Sequence, residues 1–528
     1  MPRIVLALIA SMVTMGMPAQ EPERTQLVLG IMVDGLDNDY LDLLQERFGT
    51  GGLNLLRKDG VVLLNADFGT SLDQAAAAAM IMSGAEPSVS GIPAAEIFNR
   101  DLLRPSEIFL DPSYIGNFTN STYSPSALKV STIADEIRIA AGGVNLVYSV
   151  AADPSTAIAL AGHSANGALW IDRKTGNWAT STYYKEFPTA VSTRNRISPL
   201  TMRLDTMSWT PSLRPEDYPN LPDHLRHYPF RYVFPRGSAD RIAMFEASAL
   251  ANREITDVAI DLINSLSMGT HGGTDMLNVA YSVKPYPYTK SADTRVELMD
   301  SYLKLDNNLE RLFRTVDSKI GLQNTLIFLA ATPPPASSRR DDERWGIPYG
   351  EFSTRKAISL LNMYLMAVYG NGDYVSAYHN GQFYLNHKLI KERNLRLDDV
   401  RGEAAAFLAK MTGVRSARTL DEIISGHTTA EKPALKRNIT LALAGDVLVE
   451  VAPGFEIVDD FNTVPDSQRV RTAQRNAATT AMMMIKAPET APRKIDTPVD
   501  ARILAPTVAR ILRIRSPNAA SVAPMHLK

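Results

Sequence analysis

Asp34 is the first side chain whose position in the sequence suggests chemistry. It follows the apolar run LVLGIMV at 27–33 and precedes Gly35. Such a run is typical of a strand buried on both faces of a parallel sheet, and open α/β sheets bind ligands where their strands end. Asp34 is therefore a candidate metal ligand or acid–base group. An Asp-Gly pair is also typical of a simple turn, so both interpretations stay open at this point.

Histidine and cysteine limit the metal chemistry that the chain can support. The 528 residues include eight His and no Cys, which excludes disulfides, thiolate ligands and Cys nucleophiles. His224 and His227 have the spacing of a one-turn metal pair, but no third ligand lies nearby in the sequence, which favours solvated loop histidines. His271 lies in the Gly-rich stretch GTHGGTD, which is typical of a loop. A net charge of -2 provides no basic field for nucleic acid, so no nucleic-acid partner is expected.

Alternating strands and helices are the elements that must position these side chains. Apolar runs predict strands at 27–33, 61–64, 144–150, 276–283, 325–331 and 481–485. Ala-rich or amphipathic patterns predict helices at 74–82, 132–141, 295–316 and 501–512. Residues 439–451 have the pattern of a hairpin. This order indicates an α/β fold with a mostly parallel sheet flanked by helices and interrupted by insertions at about 155–235 and 357–426, the second of them a helical cap.

The N-terminus has the order of a secretory signal peptide. Arg3 precedes an apolar run at 4–17, and small and acidic residues follow. The run is shorter than a membrane span requires, so we expect residues 1–19 to be removed and 20–528 to form the mature domain. The absence of Cys suits an oxidising compartment. We therefore predict a protein exported to the periplasm or associated with the outer membrane, not spanning the membrane after cleavage.

Several segments, in order along the chain, resemble the alkaline phosphatase superfamily. They are LGIMVDGLDNDYLDLL, GTGGLNLLRKDG, IMSGAEPSVSGI, AGHSANGALWIDRKTGNWATSTYY, DSYLKLDNNLERLF, GDVLVEVAPGFEIVDD and IDTPVDARILAPTVARILRIRSPNAAS. The chain is most similar to the branch of periplasmic phosphate monoesterases and nucleotide pyrophosphatase/phosphodiesterases. The resemblance implies an alkaline-phosphatase-like fold and a site in which two zinc ions, held by Asp and His, flank a Thr or Ser nucleophile. It also implies a packing role for His163, which belongs to AGHSANGA.

Matched position by position, the resemblance retains Asp34 as a ligand but replaces the nucleophile. Gln74 stands at the nucleophile position, and a carboxamide is not an activated nucleophile. Thr70, Ser71 and Asp73 lie close by, and a small shift would place one of them there. Ser71 or Asp73 is alternatively the N-cap of a simple helix start.

The other implied ligand positions carry residues with poor zinc chemistry. They are Pro285, Thr289, Thr332, Pro333 and Thr480, with Thr479 as the alternative to Thr480. Proline has no donor side chain, and a threonine hydroxyl is a weak zinc ligand. Asp34 is then the retained ligand-type residue of a vestigial site that also includes Asp73, and we predict no metal and no cofactor.

Three functions remain as hypotheses. The first is a catalytically inactive pseudoenzyme that serves as a binding or structural subunit of an envelope protein assembly, with an envelope protein as its partner. The alternative is a phosphate- or sulfate-ester hydrolase with a rebuilt, non-family metal site that uses Asp34, Asp73 or Thr70 and a His such as His271. The third is a carbohydrate- or ligand-binding envelope protein in which Tyr281, Tyr286, Tyr288 and Trp345 stack on a sugar or a partner peptide, although packing of these aromatic rings in the core is the simpler interpretation.

Overall fold

The computed structural model describes residues 25–219, 229–289, 294–332, 350–425, 436–437, 439–452, 454–458, 471–473, 479–488 and 490–527. The strands are β1 Leu27–Asp34, β2 Val61–Asp67, β3 Glu96–Asn99, β4 Arg104–Glu107, β5 Gly116–Asn117, β6 Val147–Val150, β7 Gly167–Ile171, β8 Trp178–Ser181, β9 Ser208–Trp209, β10 Tyr232–Val233, β11 Asp275–Ser282, β12 Thr325–Ala331, β13 Gly350–Ser353, β14 Val375–His379, β15 Gln382–Leu385, β16 Val414–Thr419, β17 Val447–Val451, β18 Phe455–Val458, β19 Arg471–Ala473, β20 Thr480–Lys486, β21 Arg493–Ile495 and β22 Val499–Asp500. The helices are α1 Asn38–Leu44, α2 Leu53–Asp59, α3 Gln74–Ser83, α4 Pro87–Ser90, α5 Ile133–Ala140, α6 Pro154–Ala161, α7 Thr189–Ile197, α8 Leu200–Arg203, α9 Arg241–Glu246, α10 Ala249–Ser265, α11 Arg295–Lys319, α12 Thr354–Tyr369, α13 His387–Glu392, α14 Leu397–Leu408, α15 Leu420–Ser425 and α16 Leu504–Leu512.

A large mixed sheet forms the centre of the fold. Its strand order is β21-β2-β20-β12-β1-β11-β6-β7-β8-β5, with β22 beside β2. β1 is parallel to both of its neighbours, β11 and β12, whereas β20 is antiparallel to β12. Every residue of β1 is buried, as its unbroken apolar sequence predicts for a strand covered on both faces. The predicted mostly parallel sheet flanked by helices is thereby confirmed.

Helix α3 is fixed at both ends and buried along its length. Asp73 caps its first turn, and Gly84 ends it in the left-handed conformation with φ 68. The residues from Ala75 to Ser83 are all buried, so the Ala-rich sequence allows close packing of this helix inside the molecule. Its N-terminus is held in a fixed position, and that is where the sequence placed the candidate nucleophile.

A second, smaller hydrophobic core involves side chains between Phe352 and Ile457. It packs α12 and α14 against the sheet β14-β15-β17-β16. The helical cap predicted at about 357–426 thus also contains strands β14, β15 and β16. The predicted hairpin at 439–451 is wrong, because β17 pairs with β15 and β16. The predicted domain boundaries stay predictions.

The first predicted insertion, at about 155–235, adds β7 and β8 to the central sheet. Within the described part of the chain, no helix has the length and apolar character needed to cross a membrane.

Candidate functional site

The carboxyl ends of three neighbouring strands bring the candidate residues to one edge of the central sheet. In the register of the sheet, Asp34 is paired with Ser282 of β11, and Val33 is paired with Ala331 of β12. Thr332 follows the end of β12 directly, and Lys284 lies two residues beyond the end of β11. Open α/β sheets bind ligands at this edge, so the strand order explains why residues far apart in the sequence meet here.

Asp34 has partners for both of its carboxylate oxygens. It is 4% exposed, forms an ion pair with the Lys284 ammonium, and accepts a hydrogen bond from the Thr332 hydroxyl. The Thr332 hydroxyl also accepts a hydrogen bond of 2.9 Å from the backbone N–H of Gly35. The Lys284 side chain remains 43% exposed. The buried Asp34 carboxylate therefore fixes the Lys284 ammonium, and the other N–H donors of this ammonium are free to contact a ligand that enters from solvent.

Asp73 and Gln74 begin α3 beside this group. The Asp73 carboxylate accepts hydrogen bonds from the backbone N–H groups of Ala76 at 2.8 Å and Ala95 at 2.6 Å. Asp73 keeps access to solvent, yet the protein around its carboxyl group raises its pKa by desolvation. The negative charge of Asp34 also raises it. Gln74 donates to the backbone carbonyl of Tyr281 at 2.9 Å, which ties the start of α3 to β11.

We call Asp34, Lys284, Thr332, Asp73 and Gln74 the edge site. The sequence predicted four of these residues but not Lys284, because the implied ligand positions in this segment are Pro285 and Thr289. The available signal was a lysine two residues beyond the end of a buried strand.

The remaining predicted site residues lie in several different surroundings. Pro285 is exposed next to Lys284. Thr289 accepts a hydrogen bond of 2.9 Å from the Tyr232 hydroxyl. Thr480 begins β20, whose antiparallel pairing with β12 places it toward the same sheet edge as Thr332. Thr70 and Ser71 lie in the segment before α3, and Pro333 lies outside the described residues.

The aromatic side chains proposed to stack on a sugar are mostly occupied with packing. Tyr281 is buried, with its hydroxyl 2.9 Å from the Thr256 hydroxyl. Tyr286 is buried against the Trp209 ring at a centroid distance of 5.2 Å. Tyr288 is exposed, and Trp345 lies outside the described residues. The sugar-stacking hypothesis is therefore wrong for Tyr281 and Tyr286.

His271 is too far from the edge site to be its metal ligand or base. Its Nδ1 lies 3.4 Å from Oδ2 of Asp275, the first residue of β11, whereas Asp34 is paired with Ser282 at the other end of that strand. The rise along those residues is about 23 Å. The suggested partnership of His271 with Asp34 is therefore wrong. His224 and His227 lie outside the described residues.

His163 makes structural contacts with both of its ring nitrogens. Nδ1 lies 3.3 Å from the Asp135 carboxylate, and Nε2 lies 3.0 Å from the backbone carbonyl of Leu128. The Asp135 hydrogen bond raises the pKa of His163 above its ordinary value of 6.5. Protonated His163 therefore ties the start of α5 to the loop that follows α6.

This arrangement predicts a pH dependence of stability. Because proton binding to His163 is tighter in the folded chain, its contribution is complete below pH 6.5 and is lost as the pH rises through the folded pKa. We expect the free energy of unfolding of the native protein to exceed that of His163→Gln most at about pH 5.5 and least at about pH 8.5. Urea unfolding at these pH values measures it, and a difference that stays constant with pH would contradict the assignment.

The comparisons with known proteins identify the family. A model described as type I phosphodiesterase / nucleotide pyrophosphatase matches residues 28–476. The chain belongs to this family. It is 27% identical over 419 residues to the alkaline phosphatase PafA of Elizabethkingia meningoseptica, covering 76% of each chain. It is 30% identical over 327 residues to the alkaline phosphatase PhoV of Synechococcus elongatus, covering 59% of each. The crystal structure of PafA matches with a TM-score of 0.82 at 25% identity, covering 95% of this chain and 98% of that one.

These relatives overturn two predictions made from the sequence. The prediction of an inactive pseudoenzyme is contradicted, because the similar chains are named alkaline phosphatases, and the hydrolase alternative agrees better with them. The prediction of no cofactor is contradicted by membership of a family whose chemistry depends on zinc.

The side chains at the edge site nevertheless do not fit the zinc pair of the family. Both Asp34 oxygens are engaged by the Lys284 ammonium and the Thr332 hydroxyl, and an ammonium there repels a second cation. Among the described residues, no group of three or more His, Asp or Glu side chains is arranged to hold a metal ion. The catalytic roles assigned below are those of this chain's own side chains.

Proposed function

We propose that the chain hydrolyses phosphate esters at the edge site. The observation that carries this proposal is the Lys284 ammonium, which Asp34 fixes at the ligand-binding edge of the sheet while leaving it open to solvent. Family membership and the named activity of PafA and PhoV support phosphate esters as the substrate class. Export to the cell envelope is part of the proposal, and an envelope protein partner stays a prediction.

Lys284 has the chemistry to stabilise the charge of a phosphoryl group. Its ammonium has three N–H donors, and the contact with Asp34 leaves others for phosphoryl oxygens. Asp34, which accepts a hydrogen bond from Thr332, holds the ammonium in place before the substrate arrives, so little reorganisation is required during the reaction. A fixed cation that faces developing negative charge is usually the largest single contribution to catalysis of this kind.

Asp73 is placed to donate a proton to the leaving alcohol. Desolvation, with the charges of Asp34 and Asp153 adding to it, raises the pKa of its carboxyl group and favours the protonated form. In the proposed step, a water oxygen bonds to phosphorus as the bond from phosphorus to the alcohol oxygen breaks. The Asp73 proton passes to the alcohol oxygen, and a proton of the water passes to a phosphoryl oxygen. The products are the alcohol and phosphate, and proton transfer from solvent restores Asp73.

A substitution at Asp73 separates proton donation from a structural role. Asparagine also caps helices well, so Asp73→Asn is expected to keep α3 intact. We expect it to lower kcat for glycerol phosphate by about 10²-fold or more, because an alkoxide leaves poorly without a proton. Hydrolysis of p-nitrophenyl phosphate, whose leaving group needs no proton, should change much less. In the native chain, kcat for glycerol phosphate should fall as the pH rises through the raised pKa of Asp73.

Asp317→Asn is the matched control, since Asp317 also accepts a backbone N–H, from Leu322, near the opposite edge of the sheet. It should leave both rates unchanged. If the native chain hydrolyses neither glycerol phosphate nor p-nitrophenyl phosphate, the proposed function is overturned. An unchanged kcat for glycerol phosphate in a folded Asp73→Asn chain would overturn the role assigned to Asp73.

A further inference from the structure

The hairpin of β3 and β4 connects the edge site with the second core. At its base, the backbone N–H of Ala95 donates to the Asp73 carboxylate at 2.6 Å, and the N–H of Ile108 donates to the Ala95 carbonyl at 2.9 Å. At its tip, Arg100 follows the last residue of β3. The five residues from Ala95 to Arg100 extend about 16 Å along the strand. We call residues 95–108 the linking hairpin.

The linking hairpin depends on neighbouring elements for its position. Within the described part of the chain, β3 and β4 form a two-stranded sheet of their own. An isolated two-stranded hairpin is marginally stable in water, so packing against other elements must hold it. Ile97 packs against the larger hydrophobic core, whereas Phe98 is buried with its ring centre 4.6 Å from that of Tyr384 in β15. Successive side chains of β3 therefore contact the larger core and the sheet of the second core.

Arg100 attaches the tip of the linking hairpin to the second core. Its guanidinium donates to the Asp446 carboxylate at 3.0 Å and to the backbone carbonyl of Ala444 at 2.9 Å, and it lies 4.8 Å from the centre of the Tyr384 ring. The planar fork of an arginine holds several acceptors in one fixed geometry. The Asp446 side chain is fully buried and also accepts hydrogen bonds from Arg401 at 2.9 Å and 2.8 Å. The tip of the linking hairpin is therefore bound to an anchor that does not depend on Arg100.

A second attachment holds the linking hairpin next to Ala95. The backbone carbonyl of Glu96 accepts a hydrogen bond of 3.2 Å from the Asn380 side-chain amide, and Nε2 of His379 lies 3.2 Å from the same oxygen. His379 ends β14, and Asn380 follows it in the turn to β15. The second core thus holds β3 at both ends, and the Ala95 N–H that contacts Asp73 directly precedes this strand.

We propose that the second core positions the Asp73 carboxyl group through the linking hairpin, with Arg100 and Asn380 as positioning residues. This role rests on the proposed hydrolysis at the edge site, in which Asp73 donates a proton. A carboxyl group that transfers a proton must stay within hydrogen-bond reach of the leaving oxygen, and a small displacement reduces the rate. Ala76 holds one oxygen of the Asp73 carboxylate and Ala95 holds the other. Loss of the contact with Ala95 frees the carboxyl group to turn about the remaining one.

Arg100→Gln tests the proposal with two independent measurements. We expect hydrogen exchange in a peptide covering 92–98, followed by mass spectrometry, to become about two- to tenfold faster, the range of one hydrogen bond. The kcat for glycerol phosphate should fall by a similar factor, whereas kcat for p-nitrophenyl phosphate, whose leaving group needs no proton, should change much less. Arg100→Lys keeps the charge and should recover part of both losses. Arg104→Gln removes an exposed charge from the same hairpin and is the matched control, which should change neither measurement.

Asn380→Gly is a second variant for the case in which Arg100→Gln does not fold. Glycine keeps the backbone at φ 46 and removes only the side-chain amide, so the same two changes are expected. Faster exchange at 92–98 beside a native chain that hydrolyses neither ester would support the attachment of the hairpin and overturn the proposed function. Exchange as slow as in the native chain, or an unchanged ratio of the two kcat values in an active chain, would overturn the positioning role. Thermal unfolding of each variant excludes misfolding as the cause.

Discussion

Replacing Lys284 with glutamine is expected to lower kcat for phosphate ester hydrolysis by about 10²- to 10³-fold, as typically follows loss of one fixed contact to transition-state charge. Glutamine keeps a hydrogen-bond donor of similar reach but removes the positive charge. The Lys284 ammonium is held by Asp34 and remains partly exposed. We therefore propose that its positive charge stabilises the negative charge of the phosphoryl group. Steady-state kinetics with p-nitrophenyl phosphate measures the effect, with the main loss in kcat.

The Lys284 substitution also leaves the buried Asp34 carboxylate without its cation, so stability must be separated from activity. The double variant Asp34→Asn with Lys284→Gln removes both charges and should recover the stability lost in the single variant. It should not recover activity. Lys391→Gln, on the exposed surface of α13, is the control for loss of one lysine charge. A Lys284→Gln enzyme that folds and retains kcat within twofold would contradict the assigned role.

The central sheet was predictable from the sequence because its strands are buried on both faces. β1 and β12 are mostly apolar runs, β11 is apolar except at Asp275, Asn278 and Ser282, and such a composition has few other interpretations. The strands β14, β15 and β16 of the second core were missed, since burial along them is partial or covers only a few residues. β16 has one fully buried residue, and its pattern does not differ enough from that of a helix or loop.

The candidate site was only partly predictable, because its geometry depends on strand order. The sequence showed that Asp34 ends a strand and that Asp73 and Gln74 begin a helix. It did not show that the ends of β11 and β12 flank β1, which is what brings Lys284 and Thr332 to Asp34. Nor did it show that His271 lies at the opposite edge. The position of Lys284 beside Asp34 likewise became recognisable only from the fold.

Glu254 provides the largest expected effect on stability. Its carboxylate on α10 is 2% exposed and accepts hydrogen bonds from Arg194 at 2.9 Å and 2.8 Å, from Arg203, and from the Trp178 indole N–H at 2.9 Å. Burial alone would raise the pKa of Glu254, but the two guanidinium groups outweigh it and lower the pKa to about 2. The stabilisation of the fold that comes from the lowered pKa of Glu254 is present above pH 4.5 and is lost as the pH falls toward 2.

Glu254→Ala is expected to lower the free energy of unfolding by about 3–5 kcal/mol, because it leaves two mostly buried guanidinium groups without their shared carboxylate. Asp261→Asn is the matched control: Asp261 also pairs with Arg194, at 3.2 Å, but is 39% exposed, so its loss should cost about 0–1 kcal/mol. Urea unfolding followed by Trp fluorescence measures both changes at neutral pH.

Replacing Glu254, Arg194 and Arg203 together with methionine should recover most of the stability lost in Glu254→Ala, since no buried charge then remains unpaired. Recovery would show that the cost of the single change arises from uncompensated charge and not from lost packing around Trp178. Equal losses in Glu254→Ala and Asp261→Asn would contradict this account, because burial is the main physical difference between the two carboxylates.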